Sequence, residues 1–123
     1  FRSGRAPGLR PAFERFCSEE AFWLDDFALF MALKHAFGGG SWHGWPEPLR
    51  RRDPAALATA AAELADAVDR VRVEQFLAAR QWESLRQYAR DAGVRFIGDM
   101  PIFVADDSAD VWARPELFEL GPD

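Results

Sequence analysis

Gly98-Asp-Met-Pro-Ile-Phe-Val-Ala-Asp-Asp-Ser-Ala-Asp-Val-Trp-Ala-Arg-Pro-Glu-Leu-Phe118 follows directly on a short apolar run, Val94, Phe96 and Ile97. Such side chains favour extended backbone, and the run is bounded by Gly93 before it and by Asp99 and Pro101 after it. It therefore reads as a strand, Val94 to Gly98, with Asp99 at its carboxyl end. In an α/β barrel that end carries the chemistry, so a carboxylate and a proline closing an apolar strand point to a barrel active site. The fold class expected is α/β.

Upstream, Asp91-Ala92-Gly93 ends a helical pattern two or three residues before the run, the short connection usual in an α/β unit. Asp53-Pro54 opens that pattern with an acidic cap and a proline whose φ already suits a helix. Leu57, Ala61, Leu64, Ala65 and Val68, then Val71, Phe76, Leu77, Trp82, Leu85, Tyr88 and Ala89, recur at helical spacing. This predicts two helices with a break between Asp66 and Arg72. An earlier helix is expected from Phe13. In the next one Asp25 and Asp26 should cap the start or lie early, Phe27, Leu29, Phe30, Met31 and Leu33 should be buried on more than one side, and Gly38-Gly39-Gly40 should stop it. Ser41 to Leu49 holds Trp42, His43, Trp45, Pro46 and Pro48, which is loop chemistry that must bury its rings or use them. A short helix is predicted near Asp107 to Ala113. The division expected is a loop or truncated stub over 1–12, a helical region over 13–92, and strand, loop and short helix over 93–123, all within one partial domain.

The chain has 123 residues, whereas a whole α/β barrel takes roughly 250, so a fragment is expected. Fifteen basic and twenty acidic residues give a net charge of −5, which argues against general nucleic-acid binding because phosphate contacts need a basic surface. Cys17 is the single cysteine, so no internal disulfide and no cysteine-based metal site are expected, and a reducing cytoplasm is the simplest setting. No apolar run approaches the roughly 20 residues of a membrane span. Eleven Phe and five Trp supply either core volume or faces for sugar stacking, and composition does not separate the two uses.

The motifs resemble the 4-α-glucanotransferases (amylomaltases, disproportionating enzymes), glycoside hydrolase family 77 of the α-amylase clan. Gly-Asp-Met-Pro-Ile-Phe-Val from Gly98 to Val104 and Asp-Ser-Ala-Asp-Val-Trp from Asp107 to Trp112 are unbroken. Further agreement lies at Phe16-Cys17, Trp23 to Lys34, Trp42 to Pro46, Leu49 to Pro54 and Arg80-Gln81-Trp82, in the family's order. The resemblance implies a fragment of a (β/α)8 TIM barrel, mostly helical insertions plus one early barrel strand. It also implies a parent that moves α-1,4-glucan segments between maltooligosaccharides, with no metal and no other cofactor. The family's nucleophile, an aspartate in Arg-x-Asp, its glutamate acid/base and a later His-Asp pair have no counterpart here. Arg51-Arg52-Asp53 matches the first only as a string, because Pro54 and a helix follow. No catalytic residue is therefore assigned within these residues, and the isolated chain is expected to be inactive and poorly soluble.

Asp99 is the leading site residue: the resemblance makes it an active-site support that shapes the subsite of the reacting glucose, while the residues alone leave a loop carboxylate capping nearby backbone equally open. Asp99, Pro101 and Trp112 are the substrate-binding candidates, with Trp112 either walling a sugar groove or pinning the loop. Trp42 and Trp45 lean towards packing, and Trp23, Phe27, Phe30 and Trp82 are expected in the core. Asp106, Asp107 and Asp110 lack the spacing of a calcium loop, so Asp107 or Ser108 is expected to cap a helix instead. His35 and His43 show no partner carboxylate in sequence, Arg50 to Arg52 read as a solvated run, and Cys17 reads as a small packed residue. Two other readings remain open: a helical binding or interaction module in which Asp99 caps a turn, and a different barrel enzyme using Asp99 as metal ligand or base.

Overall fold

The structure, a computed structural model, describes residues 7–121. Its helices are α1 (Arg10–Glu19), α2 (Ala21–Ala36), α3 (Glu47–Arg50), α4 (Pro54–Glu63), α5 (Ala65–Asp91) and α6 (Ala109–Ala113), with single 3-10 turns at Pro7–Leu9, Trp42–Gly44 and Pro115–Leu117. α2 is the centre, packing on α5, α6 and α1. The sequence explains that position: Leu24, Ala28, Leu29, Phe30, Ala32 and Leu33 are all buried, and they occupy more than one face of the helix. Each Leu or Phe so buried contributes about 1.5–3 kcal/mol relative to an exposed one.

The punctuation acts as read in several places. Asp53 caps α4 by accepting from the Ala56 N–H at 2.9 Å, with Pro54 in the first turn. α2 stops at Ala36, and Gly38 and Gly39 take φ of 67° and 82°, a region that costs other residues strain. Gly93, at φ 75°, ends α5 likewise.

Three expectations are corrected. α1 starts at Arg10, ahead of Phe13, because Pro11 is tolerated inside a first turn. The part of the 1–12 stub before residue 7 lies outside the described residues. The helix break falls at Leu64, not between Asp66 and Arg72. Asp25 and Asp26 take the second of the two places expected for them, early in α2, where they pair with Arg72 and Arg52 and do not cap it. Finally, Val94 to Gly98 is not a strand, and no strand occurs among the described residues. The Val94 N–H is taken by the Ala89 carbonyl at 2.8 Å, and among the described residues no second strand supplies ladder bonds.

Cys17 is half-buried; burial, helped by Asp25 and Asp69 and opposed by Arg72, raises its thiol pKa, which keeps it protonated and unreactive.

Candidate functional site

The stretch from Gly98 to Trp112 divides in two. Its first part, 98–104, is exposed: Met100, Ile102 and Phe103 are 85%, 90% and 87% exposed. Asp99 lies here, exposed, and its carboxylate makes no hydrogen bond or ion pair with any described residue. Pro101, also exposed, follows in the same open segment.

The second part, from Asp106, is tied down by groups far away in sequence. The Trp42 indole Nε1 donates to the Asp106 carbonyl at 3.0 Å, and the Trp42 backbone N–H donates to the Asp107 carboxylate at 3.3 Å. Lys34 Nζ reaches the other Asp107 oxygen at 2.6 Å and also donates to the Gly40 carbonyl at 3.0 Å. His43 Nε2 lies 2.7 Å from an Asp106 carboxylate oxygen. Burial raises the Asp107 pKa, but the Lys34 hydrogen bond, the Trp42 amide and the charges of Lys34 and His43 together outweigh it, so the carboxyl sits below its ordinary value. Asp107 is thus held as the anion.

Beyond this tie, Ser108 caps α6 by accepting from the Val111 N–H at 3.3 Å. α6 then delivers Trp112 into the core, fully buried. Its ring meets Phe30 and Trp45 at centroid distances of 5.8 Å each, the Arg52 guanidinium lies 4.3 Å from its centre, and its Nε1 donates to the Leu49 carbonyl at 3.0 Å. The indole is therefore enclosed by groups of this chain, the packing expected of an aromatic that pins the loop. Trp42 and Trp45 are likewise packed, at 7% and 3% exposure.

Other sequence candidates divide similarly. Phe30 is in the core and Trp23 and Phe27 are half-buried, but Trp82 is exposed, its ring centroid 5.0 Å from that of Phe96, because the carboxyl half of α5 runs past the helices that cover its start. Arg50 and Arg51 are solvated as expected; Arg52 is not, since it pairs with Asp26 beneath Trp112 and holds a left-handed φ of 56°. His43 has the partner that sequence did not reveal, and the only signal for it was its place in an aromatic loop. A polar cleft of about 410 Å³ opens beside that pair, lined by Trp42, His43, Arg50, Arg51 and Asp106; Asp99 and Pro101 do not line it. No group of three or more His, Cys, Asp or Glu able to hold a metal occurs among the described residues, and no described helix is long and apolar enough to cross a membrane.

The fold is similar to that of a solved structure, the amylomaltase from Streptococcus agalactiae in complex with acarbose. The match has a TM-score of 0.85 at 36% identity and covers 98% of this chain and 27% of that one. The sequence profile of glycoside hydrolase family 77, described as 4-alpha-glucanotransferase, matches residues 1–123. A 4-alpha-glucanotransferase from Thermus thermophilus is 52% identical over 120 residues, 98% of this chain and 24% of that protein. One from Synechocystis is 42% identical over 123 residues, again 24% of its length. The chain belongs to the 4-alpha-glucanotransferase family. It spans about a quarter of the length of these relatives.

Proposed function

We propose that this chain is part of an enzyme that transfers α-1,4-glucan segments to glucose or to other glucans. The observation that carries the proposal is the 52% identity to the Thermus thermophilus 4-alpha-glucanotransferase along 98% of the chain. In the whole protein a carboxylate attacks the donor sugar's anomeric carbon, the reducing-end piece departs with a proton from the acid/base, and the 4-hydroxyl of an acceptor, giving its proton to the now deprotonated acid/base, then displaces the enzyme carboxylate. The family's nucleophile and acid/base motifs have no counterpart among these residues, so their contribution is to bind and orient.

Within that scheme Val94 to Gly98 becomes an early strand of the (β/α)8 barrel once neighbouring strands pair with it, which agrees with its exposed apolar side chains. Asp99 then stands at the strand end, and its two free carboxylate oxygens accept hydrogen bonds from hydroxyls of the reacting glucose. Pro101 turns the chain out of the strand, and Trp112 holds the loop from behind. Maltooligosaccharides and α-1,4-glucans are the partners, nucleic acid and membrane are not, no cofactor is used, and the setting is the cytoplasm.

The test is to incubate the full-length protein containing this chain with maltotriose and resolve the products. Glucose together with chains longer than maltotriose is expected. The 123 residues alone should give neither. A full-length protein that folds and leaves maltotriose untouched ends the proposal, and the reading of the chain as a helical interaction module would take its place.

A further inference from the structure

We infer that Lys34 is a positioning residue for the transfer reaction: by clamping Asp107 it fixes the downstream end of the loop that presents Asp99. The inference rests on the glucanotransferase reading above. Residues 97–105 hang between two anchors. Upstream, Phe96 leans on Trp82. Downstream, the first fixed groups are the Asp106 carbonyl and the Asp107 carboxylate, held by Trp42 and Lys34. In between, Ile97, Met100, Ile102 and Phe103 are at least 85% exposed, so among the described residues little side-chain packing holds the loop between its ends. In the whole protein the strand sets where the loop begins, and the Asp107 tie sets where it ends.

Lys34 is built for this more firmly than an ordinary surface lysine, whose ion pairs contribute little because both partners must be immobilised. Its base is rigid, since it stands in the last turn of α2 directly after Leu33, which is 2% exposed. Its stem passes the Phe30 ring, with Nζ 5.9 Å from the centroid, and its side chain is 18% exposed. Nζ holds the Gly40 carbonyl and Asp107 together, so the end of α2, the glycine turn and the loop are joined at one atom. Few rotamers satisfy both bonds, and the immobilisation that weakens surface pairs is here largely complete before Asp107 arrives.

The experiment is steady-state transfer from maltotriose by the full-length protein. Lys34→Met is expected to lower kcat roughly tenfold with KM little changed, since a shift of about 1 Å in a positioning element costs up to ~10²-fold. Lys34→Arg should recover most of the loss, Asp107→Asn should reproduce it, and the double variant should be no worse than either single one, because both changes break one contact. Glu83→Gln, at the far end of α5, is the control that leaves kcat unaltered. A Lys34→Met enzyme with a lower melting temperature and undiminished kcat would make the lysine structural only and overturn the inference. So would an additive double variant. Should Lys34→Met not fold, Lys34→Arg against Asp107→Asn decides the same question. A wild-type protein that does not redistribute maltotriose removes the glucanotransferase reading itself, and this inference with it.

Discussion

The neighbourhood of Trp112 and the stretch from Leu77 to Val104 are comparably rich in large apolar side chains, yet the first is closed and the second open. Around Trp112, side chains from α2, the 42–52 segment and α6 occupy one another's faces, and the polar atoms left over find carbonyls: Trp112 takes that of Leu49, Trp42 that of Asp106. Along the other stretch, Leu77, Trp82, Leu85, Tyr88, Val94, Phe96 and Ile97 are all exposed. A contiguous apolar surface of that kind marks a missing partner rather than a solvated face. The first region is a core that these residues complete by themselves. The second is half of a core, and in the family reading the other half is the rest of a barrel.

The largest expected effect falls on the closed region. Trp112→Ala removes a fully buried indole, its hydrogen bond and the platform under Arg52, and should cost about 3–5 kcal/mol of stability, read by chemical denaturation. A loss below about 1 kcal/mol would mean the region is as open as the other. Arg52→Ala comes next, at about 1–3 kcal/mol, because Asp26 loses its partner while the left-handed backbone at 52 is still required.

Asp107 supplies a pH test. Its folded pKa is lower than its unfolded one, so its contribution is present at pH above the unfolded value and disappears as pH falls through the folded value. The groups facing it are Lys34, His43 and the Trp42 amide. Asp107→Asn should therefore flatten the acid limb of the stability curve and leave the neutral region less stable. An unchanged acid limb would show that the tie does not persist in solution.

The smallest effect belongs to the open region. Ile97→Lys with Phe103→Lys should change the stability of the 123-residue chain by no more than about 0.5 kcal/mol while reducing its self-association, followed by light scattering. Clear destabilisation would mean that the stretch is packed after all and that the comparison between the regions fails.

What was legible in sequence was local. Asp53-Pro54, Gly38-Gly39 and Gly93 each act within a few residues, so their roles follow from backbone chemistry alone. Contacts across long separations were not legible. Lys34 with Asp107, His43 with Asp106 and Arg52 with Asp26 obey no helical or strand period, and only the folded arrangement brings them together. Trp82 shows a different limit: periodicity tells which face of a helix is apolar, not whether a partner covers it. The strand expected at Val94 to Gly98 shows the same limit for sheets, since the sequence favours extension but the hydrogen bonds must come from elsewhere. Asp99 was singled out from its position at the end of that run and from the motif around it, and its proposed role stays with the experiment below.

The central claim is that Asp99 faces the reacting sugar of a glucanotransferase, and the most direct measurement is the rate of maltotriose disproportionation by full-length protein with and without Asp99→Asn. The account predicts a correctly folded variant whose kcat falls by about 10²-fold, as expected for losing a charged contact at the reacting centre. A folded Asp99→Asn protein that redistributes maltotriose as fast as the wild type would contradict it.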